Sequence, residues 1–356
     1  MFTNKPLYRI FALVTVFVLV LSGTRSAVAA ASNDNFADAT QITSLPYNTN
    51  ADNTGATYEM GEPNPSCGYG STPTSVWYSY TSPSTISVTA RAYYSYFPVV
   101  LAIYTGTLGN LVQISCGSWD AQLTFQAQEG VTYYFQVDSF YPWNQGTIPF
   151  SLEITPPPNA GVCFGPFDPT IFDTMQFNDC SSDPGGVGFQ SFTWDFGDGT
   201  TLTTPGSWVN HQYAADGNYT VQHGVTTYDG RTASTSLVVN VRTKDIAIST
   251  FSIPQTARVN QTKTINVNIQ NKRYSDYVQV TLYKGLPGGG EQQIGTLTIY
   301  VPAKAKQATT FKFSYTFTSD DATVGKVTFR AVANIVNGRD ALPADNTSIA
   351  TTTVSK

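Results

Sequence analysis

Trp194-Asp195-Phe196-Gly197-Asp198-Gly199-Thr200 reads as a strand running into a tight turn. Trp194 and Phe196 alternate with Asp195, so an extended chain turns both aromatic rings to one face. Asp198-Gly199 supplies a hairpin, because glycine adopts the positive φ that short hairpin turns demand. Downstream come His211-Gln212-Tyr213 and Gly217-Asn218-Tyr219-Thr220-Val221, with Tyr219, Val221 and His223 on one strand face. Asp229-Gly230 marks the next hairpin.

The same period-2 pattern extends outward in both directions. Toward the C-terminus, Ile265/Val267/Ile269, Val278/Val280/Leu282, Phe311/Phe313/Tyr315/Phe317 and Val327/Phe329/Ala331 alternate with polar residues, giving each strand one buried and one wet face. Pro287-Gly288-Gly289-Gly290 and Asn337-Gly338 are turns. Toward the N-terminus, strands are expected at 76–81, 86–90, 99–104, 122–126, 132–137 and 150–154, at the spacing of a β-sandwich. Tyr and Phe number 21 each and charged residues make up only 12%, a composition that suits half-buried strands. No apolar stripe at helical spacing follows the first 30 residues.

Two discontinuities divide the chain. Pro156-Pro157-Pro158-Asn159-Ala160-Gly161 predicts a stiff, extended spacer over 156–161 that cannot continue a sheet. Charge changes sign near residue 244: residues 30–243 hold three arginines against seventeen acidic residues, and 244–356 hold thirteen basic residues against seven acidic. The expectation is an all-β chain of three tandem β-sandwiches, at 32–155, 162–242 and 245–356, with the short Arg242-Thr243-Lys244 join holding the last two rigidly.

Each segment resembles a known module. WDFGDGT at 194–200, with His211, Tyr213, Tyr219 and the preceding SSDPGG at 181–186, resembles the PKD domain, which implies an immunoglobulin-like sandwich. In that resemblance Trp194, Phe196, Gly197, Asp198, Gly199, His211, Tyr213 and Tyr219 are structural. NDNFADAT at 33–40, GAT at 55–57, GEP at 61–63, SVWYSYTSP at 75–83 and LAIYTGTL at 101–108 resemble the prepeptidase C-terminal-like domain of secreted bacterial proteins, which implies a jelly-roll-like sandwich. Phe97-Pro98-Val99-Val100 replaces the acidic residue that often precedes the last of those motifs, a departure that bears on the Ca²⁺ binding of some relatives. The last segment, with Asn271 after one strand and Asp345-Asn346 before another, resembles the CARDB-type adhesion module, also immunoglobulin-like.

The first 29 residues read as an export signal. Lys5 and Arg9 precede a charge-free, mostly apolar stretch over 10–21, and Ala27-Val28-Ala29 fits the cleavage pattern. That stretch is short of the ~20 apolar residues of a membrane span. No later segment reads as a span, and no hydrophobic tail is found at the C-terminus. Cys67 and Cys116 fall in the first segment, Cys163 and Cys180 in the second. Four cysteines allow three pairings, of which pairing within each segment is the simplest, in an oxidising compartment.

Catalytic motifs are missing from the sequence. Only His211 and His223 could serve as imidazole bases, and no G-x-S-x-G, H-E-x-x-H or phosphate-cradling glycine loop occurs. Asp195-Phe196-Gly197 spells a kinase triplet without the rest of a kinase. Paired carboxylates for glycoside hydrolysis are a spatial property, but the acidic residues sit mostly in turns. The chain is therefore expected not to be an enzyme and to need no cofactor. One candidate metal is Ca²⁺ near Asp183, Asp195 or Asp198, set against an ordinary turn role, since hard cations want six or more oxygens. The candidate binding residues are Phe140, Tyr141 and Trp143 in one connection and Trp119 in another, with Tyr93, Tyr94 and Tyr96 in a third. Aromatics in loops offer flat faces to a sugar, or else fold back over the sandwich end. The basic third segment could instead meet an anionic polymer, or its own acidic neighbours. The expected role is adhesion or binding outside the cell or at its surface. Partners would be extracellular polysaccharide, cell wall or surface protein, and not nucleic acid. The alternatives are a spacer or matrix component without a ligand, and an accessory subunit of a secreted protease or glycosidase.

Overall fold

The computed structural model describes residues 30–70, 73–93, 96–304 and 306–356, so the export signal and Tyr94 lie outside the described residues. Nearly all of the regular structure is β, as the alternation requires. Among the described residues no helix is long and apolar enough to cross a membrane.

Nine strands come first: β1 Thr40–Ile42, β2 Tyr47–Asp52, β3 Val76–Thr81, β4 Ile86–Ala92, β5 Val99–Thr105, β6 Val112–Trp119, β7 Ala121–Ala127, β8 Thr132–Ser139 and β9 Thr147–Ile154. Their sheets are ordered β1-β3-β8-β5-β6 and β2-β9-β4-β7. Apart from β1, which joins β3 in parallel, this is the order of a jelly roll, two interlocked Greek keys. Tyr78, Phe135 and Phe150 pack between the sheets, with ring centroids 4.7 and 5.8 Å apart. The outer face of the larger sheet is covered as well. Phe36 sits 5.2 Å from Trp77 and 4.4 Å from Tyr134. That cover explains why the central strand β5 is apolar at nearly every position instead of alternating. The topology has one consequence for function: the β2–β3, β4–β5, β6–β7 and β8–β9 connections all gather at one end.

Seven strands follow: β10 Val162–Gly165, β11 Met175–Asp179, β12 Phe189–Asp195, β13 Thr201–Thr204, β14 Trp208–His211, β15 Gly217–Thr227 and β16 Thr232–Val241. Sheets β10-β11-β14 and β13-β12-β15-β16 enclose Met175, Phe177, Trp194, Phe196, Val209, Tyr213, Val221 and Val239. The last sandwich comprises β17 Ile246–Ser252, β18 Thr256–Arg258, β19 Thr262–Asn271, β20 Asp276–Gly285, β21 Glu291–Val301, β22 Thr309–Thr316, β23 Lys326–Ile335 and β24 Thr347–Ser355, with helix α1 Ser319–Val324 between β22 and β23. Its sheets are β17-β19-β22 and β18-β24-β23-β20-β21. All four alternating sets point into its core.

The chain divides into two compact units, one closing at Ile154 and the other running from Thr155 to Lys356. The second and third sandwiches thus form one body. Asp216 ties them together. It accepts from the Thr243 amide at 2.9 Å, the Thr243 hydroxyl at 2.6 Å, the Tyr274 hydroxyl at 2.9 Å and Arg273 Nη1 at 3.3 Å. The Arg242 guanidinium lies 5.8 Å from the centre of the Tyr274 ring, and Arg339 pairs with Asp173.

Two features add to the sequence reading. The 156–161 run, expected as a stiff, extended spacer, is hydrogen-bonded to the second sandwich. Asn159 exchanges backbone hydrogen bonds with Ser182 at 2.8 and 2.9 Å, the Cys180 amide donates to Gly161 O at 2.9 Å, and Arg231 Nη1 donates to Pro156 O at 2.7 Å. Asn159 and Gly161 kept their N–H and C=O groups for pairing, whereas the prolines have no N–H to give. Helix α1 was not legible, because six residues are too few to show a period; a capping box starts it, with Thr318 and Asp321 each accepting from the other's amide.

Candidate functional site

The aromatic connections of the jelly roll are built on a polar frame. The Asn53 side chain is fully buried. Its Nδ2 donates to Thr74 O at 2.8 Å, and its Oδ1 accepts from the Gly146 amide at 2.7 Å, which stitches the β2–β3 connection to the β8–β9 connection. Gln145 reinforces the seam through the Gly55 amide at 3.0 Å and Ala56 O at 3.2 Å. The Phe140 amide donates to Pro98 O at 2.7 Å, so the β4–β5 connection is joined as well. Cys67 and Cys116 are disulfide-bonded, fastening the β2–β3 connection to β6. The second disulfide joins Cys163 to Cys180.

This frame brings Trp119, Phe140, Tyr141 and Trp143 together. Tyr141 and Trp143 stack with ring centroids 5.0 Å apart and planes within 15°. Phe140 meets Tyr141 edge-on at 5.0 Å, and Trp119 lies 6.1 Å from Phe140. A fifth ring, missed in the sequence, is Tyr69, 5.6 Å from Tyr141 and 6.1 Å from Phe140. Its only signal was its place two residues after Cys67. Phe140 and Tyr141 are half-buried, while Trp143, Tyr69 and Trp119 remain 70%, 61% and 54% exposed. Trp119 also holds φ at 71°, a left-handed conformation that a bulky residue adopts at a cost of about 1–3 kcal/mol. Tyr93 and Tyr96 do not join the cluster. Tyr93 lines a shallow depression over β2 and β9 with Asn48, Asn50 and Pro149, and Tyr96 is fully solvated in the β4–β5 connection.

Beneath the rings lie two buried carboxyls. Glu62 accepts from Trp77 Nε1 and Gln136 Nε2, both at 3.1 Å, and from the Ser75 hydroxyl. Burial raises its pKa against those bonds. Asp138, one residue before the end of β8, is 5% exposed. Its Oδ1 accepts from the Ser139 amide at 2.7 Å and from the Thr74 amide and hydroxyl at 3.1 Å. Burial, helped by the charge of Glu62, pushes Asp138 up to about 7 despite these donors.

The candidate metal residues each have protein partners. Asp183 accepts from the amides of Gly185, Val187 and Gly188 at 2.9, 2.8 and 3.1 Å and pairs with Arg231 at 2.8 Å. Burial acts to raise its pKa, but Arg231 and the amides outweigh it and hold the carboxyl below the usual range. Asp195 accepts from the Gly197 amide at 2.9 Å, and Asp198 meets His211 Nε2 at 2.8 Å. Among the described residues no group of three or more His, Cys, Asp or Glu side chains is placed to hold a metal ion.

The hairpin residues of the second sandwich pack on one another. His211 lies parallel to Phe196 with centroids 4.0 Å apart. The buried Tyr213 hydroxyl donates to Phe196 O at 3.0 Å, and Tyr213 stacks on Tyr219 at 4.0 Å. His223 is fully buried, stacked 3.9 Å from Trp194, with Nε2 2.9 Å from Asp179. Of the basic residues after 243, Lys244, Arg273, Lys284, Arg330 and Arg339 are engaged in ion pairs with Asp276, Asp216, Asp321, Glu291 and Asp173. Three of these pairs are internal to the segment, and two, to Asp216 and Asp173, reach acids of the second sandwich.

No curated protein sequence matches the chain. Among solved structures it is similar to a CARDB domain from Pyrococcus furiosus in complex with two metal ions, at 16% identity over 32% of this chain and 90% of that one, with a TM-score of 0.26. It is also similar to carbohydrate-binding modules of the β-sandwich superfamily, at 16% identity over 47% of this chain and 86% of that one, with a TM-score of 0.25. The PKD1 domain of the Vibrio cholerae metalloprotease PrtV is 25% identical over 25% of this chain and all of that domain, with a TM-score of 0.22. In the sequence itself, residues 158–241, the segment around Trp194 and Phe196, match the PKD domain.

Proposed function

We propose that the chain is a non-catalytic binding protein, working outside the cell or at its surface, that holds carbohydrate on the aromatic end of its jelly roll. The observation that carries this reading is the convergence of five rings from two connections and the end of β6, three of them largely exposed, on a frame of buried hydrogen bonds and a disulfide. Sugars present C–H faces that stack on flat rings, and preorganised rings lose little entropy when a ligand arrives. A spacer without a ligand would gain from folding these rings inward, and Trp143 instead points its surface to solvent. The two disulfides favour an oxidising compartment.

The test is retention of the chain on insoluble cellulose, chitin and peptidoglycan, with Trp143→Ala alongside. Loss of retention in the variant, with its melting temperature unchanged, supports the platform. Equal retention refutes it.

A further inference from the structure

A small cavity opens beside the rings, between the β2–β3 and β8–β9 connections. Pro65, Tyr69, Pro73, Asp138, Ser139 and Pro142 are among the residues that line it. Its volume is about 10 Å³, roughly what a single water or hydroxyl occupies. The Asp138 bonds fall on Oδ1, from Thr74 and Ser139. Oδ2 has no donor among the described residues. Proline and glycine make up much of the lining and bring no side-chain donor, so a hydroxyl entering the cavity meets Asp138 as its charged acceptor.

We propose that this cavity is the polar subsite of the aromatic platform: a sugar ring lying against Tyr69 and Tyr141 inserts one hydroxyl, which donates to Asp138 Oδ2. The inference rests on the platform reading and adds to it the chemical group that is recognised. The rings alone would accept any flat apolar face. Asp138 demands a hydroxyl donor within reach of the stacked ring, and the size of the cavity excludes an N-acetyl or carboxylate substituent there. Gly70, which borders the cavity, holds φ at +115°, a backbone conformation open to glycine. The Cys67–Cys116 bridge holds Tyr69 over the opening.

Protonation should govern this contact. The titratable groups facing Asp138 are Glu62 from the β2–β3 connection and Tyr104 from β5. With Asp138 raised to about 7, the carboxyl is largely protonated at pH 5.5 and ionised at pH 8.5. A hydroxyl donating to the ionised form makes the stronger, charge-assisted bond.

The experiment is retention of the full chain on cellulose, chitin and peptidoglycan at pH 5.5 and 8.5, for wild type, Asp138→Asn and Trp143→Ala. Wild-type retention on a bound polymer should strengthen about fivefold with pH, the usual margin of a hydrogen bond to a charged group over a neutral one. Asp138→Asn keeps the side-chain shape and should bind more weakly at pH 8.5, with a flat profile. If Trp143→Ala abolishes retention while Asp138→Asn matches wild type at both pH values, the subsite is wrong and the platform stands. A flat wild-type profile, which needs no variant, also overturns the subsite. Retention that ignores Trp143→Ala, or no retention on any polymer, overturns the platform and the subsite with it.

Discussion

Gly197→Ala and Gly199→Ala change neighbouring glycines in the same hairpin, and the structure assigns them different costs. Both hold left-handed backbone, at φ 77° and 93°. An alanine forced there loses about 1–2 kcal/mol relative to its preferred region. Gly199 faces open space, with nothing within 4 Å of an added Cβ, so the backbone cost is the whole effect. At Gly197 the Cβ would lie 2.6 Å from Thr220 O and 2.8 Å from Thr220 N, the backbone of the adjacent strand β15. Backbone cannot swing aside like a side chain, and overpacking of this kind adds about 1–3 kcal/mol. Gly197→Ala should therefore cost about 3–4 kcal/mol and Gly199→Ala about 1–2 kcal/mol. For a body of roughly 200 residues, each kcal/mol moves the melting temperature by about 2–4 °C. Scanning calorimetry of the full chain should show the transition of the second unit falling by roughly 10 °C for Gly197→Ala and about 4 °C for Gly199→Ala. Equal shifts would refute the argument that close approach to β15, over and above turn geometry, demands glycine at 197.

Asp321→Ala should destabilise the third sandwich by about 2–3 kcal/mol, because it leaves the half-buried Lys284 ammonium without its partner and removes the cap of α1; urea denaturation checks this, and a loss under 1 kcal/mol would count against it. In the native protein, burial acts to raise the Asp321 carboxyl, but the Thr318 amide, the Tyr315 hydroxyl and Lys284 outweigh it and hold it low. Its contribution is thus present above the ordinary carboxyl range and lost as pH falls through the depressed value, so acid unfolding of Asp321→Asn should be shallower. Asp138 has the opposite sign: a raised carboxyl is stabilising only while protonated, so the first unit should lose stability as pH rises from about 4 toward 7, and Asp138→Asn should flatten that slope in melting curves. Removing the Cys67–Cys116 bridge by double serine substitution reopens a 49-residue loop. The expected loss in the first unit is about 4 kcal/mol by chain entropy. Arg231→Ala leaves the buried Asp183 and Asp229 carboxylates without their shared cation. It should cost the second unit about 3–5 kcal/mol, and a neutral result would mean that both carboxylates are solvated.

Strands with one buried face were legible in the sequence, and those shaped by their neighbours were not. β19, β20, β22 and β23 alternate because one face meets the core and the other meets water. β2, Tyr-Asn-Thr-Asn-Ala-Asp, buries only Ala51, so its sequence carries no apolar period, and its place comes from pairing with β9. β6 lies at a sheet edge with no fully buried residue, which hides it in the same way. At the site, Trp119, Phe140, Tyr141 and Trp143 stood out as rings in connections, but their meeting depends on the jelly-roll order that sends alternate connections to one end. Tyr69 was lost in a long Gly- and Pro-rich connection whose course is set by a disulfide and by the buried Asn53. Asp138 was invisible as a site residue because its environment comes from Glu62 and Thr74, both more than 60 residues away in sequence.

The seam at Asp216 has a mechanical consequence. Three residues between two sandwiches would ordinarily act as a hinge. Bending at 242–244 would here require Thr243 to give up both of its bonds to Asp216, and Tyr274 to leave Asp216 and the Arg242 guanidinium together. The second and third sandwiches should therefore tumble together and show the same rotational correlation time. A load applied at the C-terminal sandwich would be passed to β10 and the Cys163–Cys180 bridge as by a stiff arm, without being absorbed at the joint.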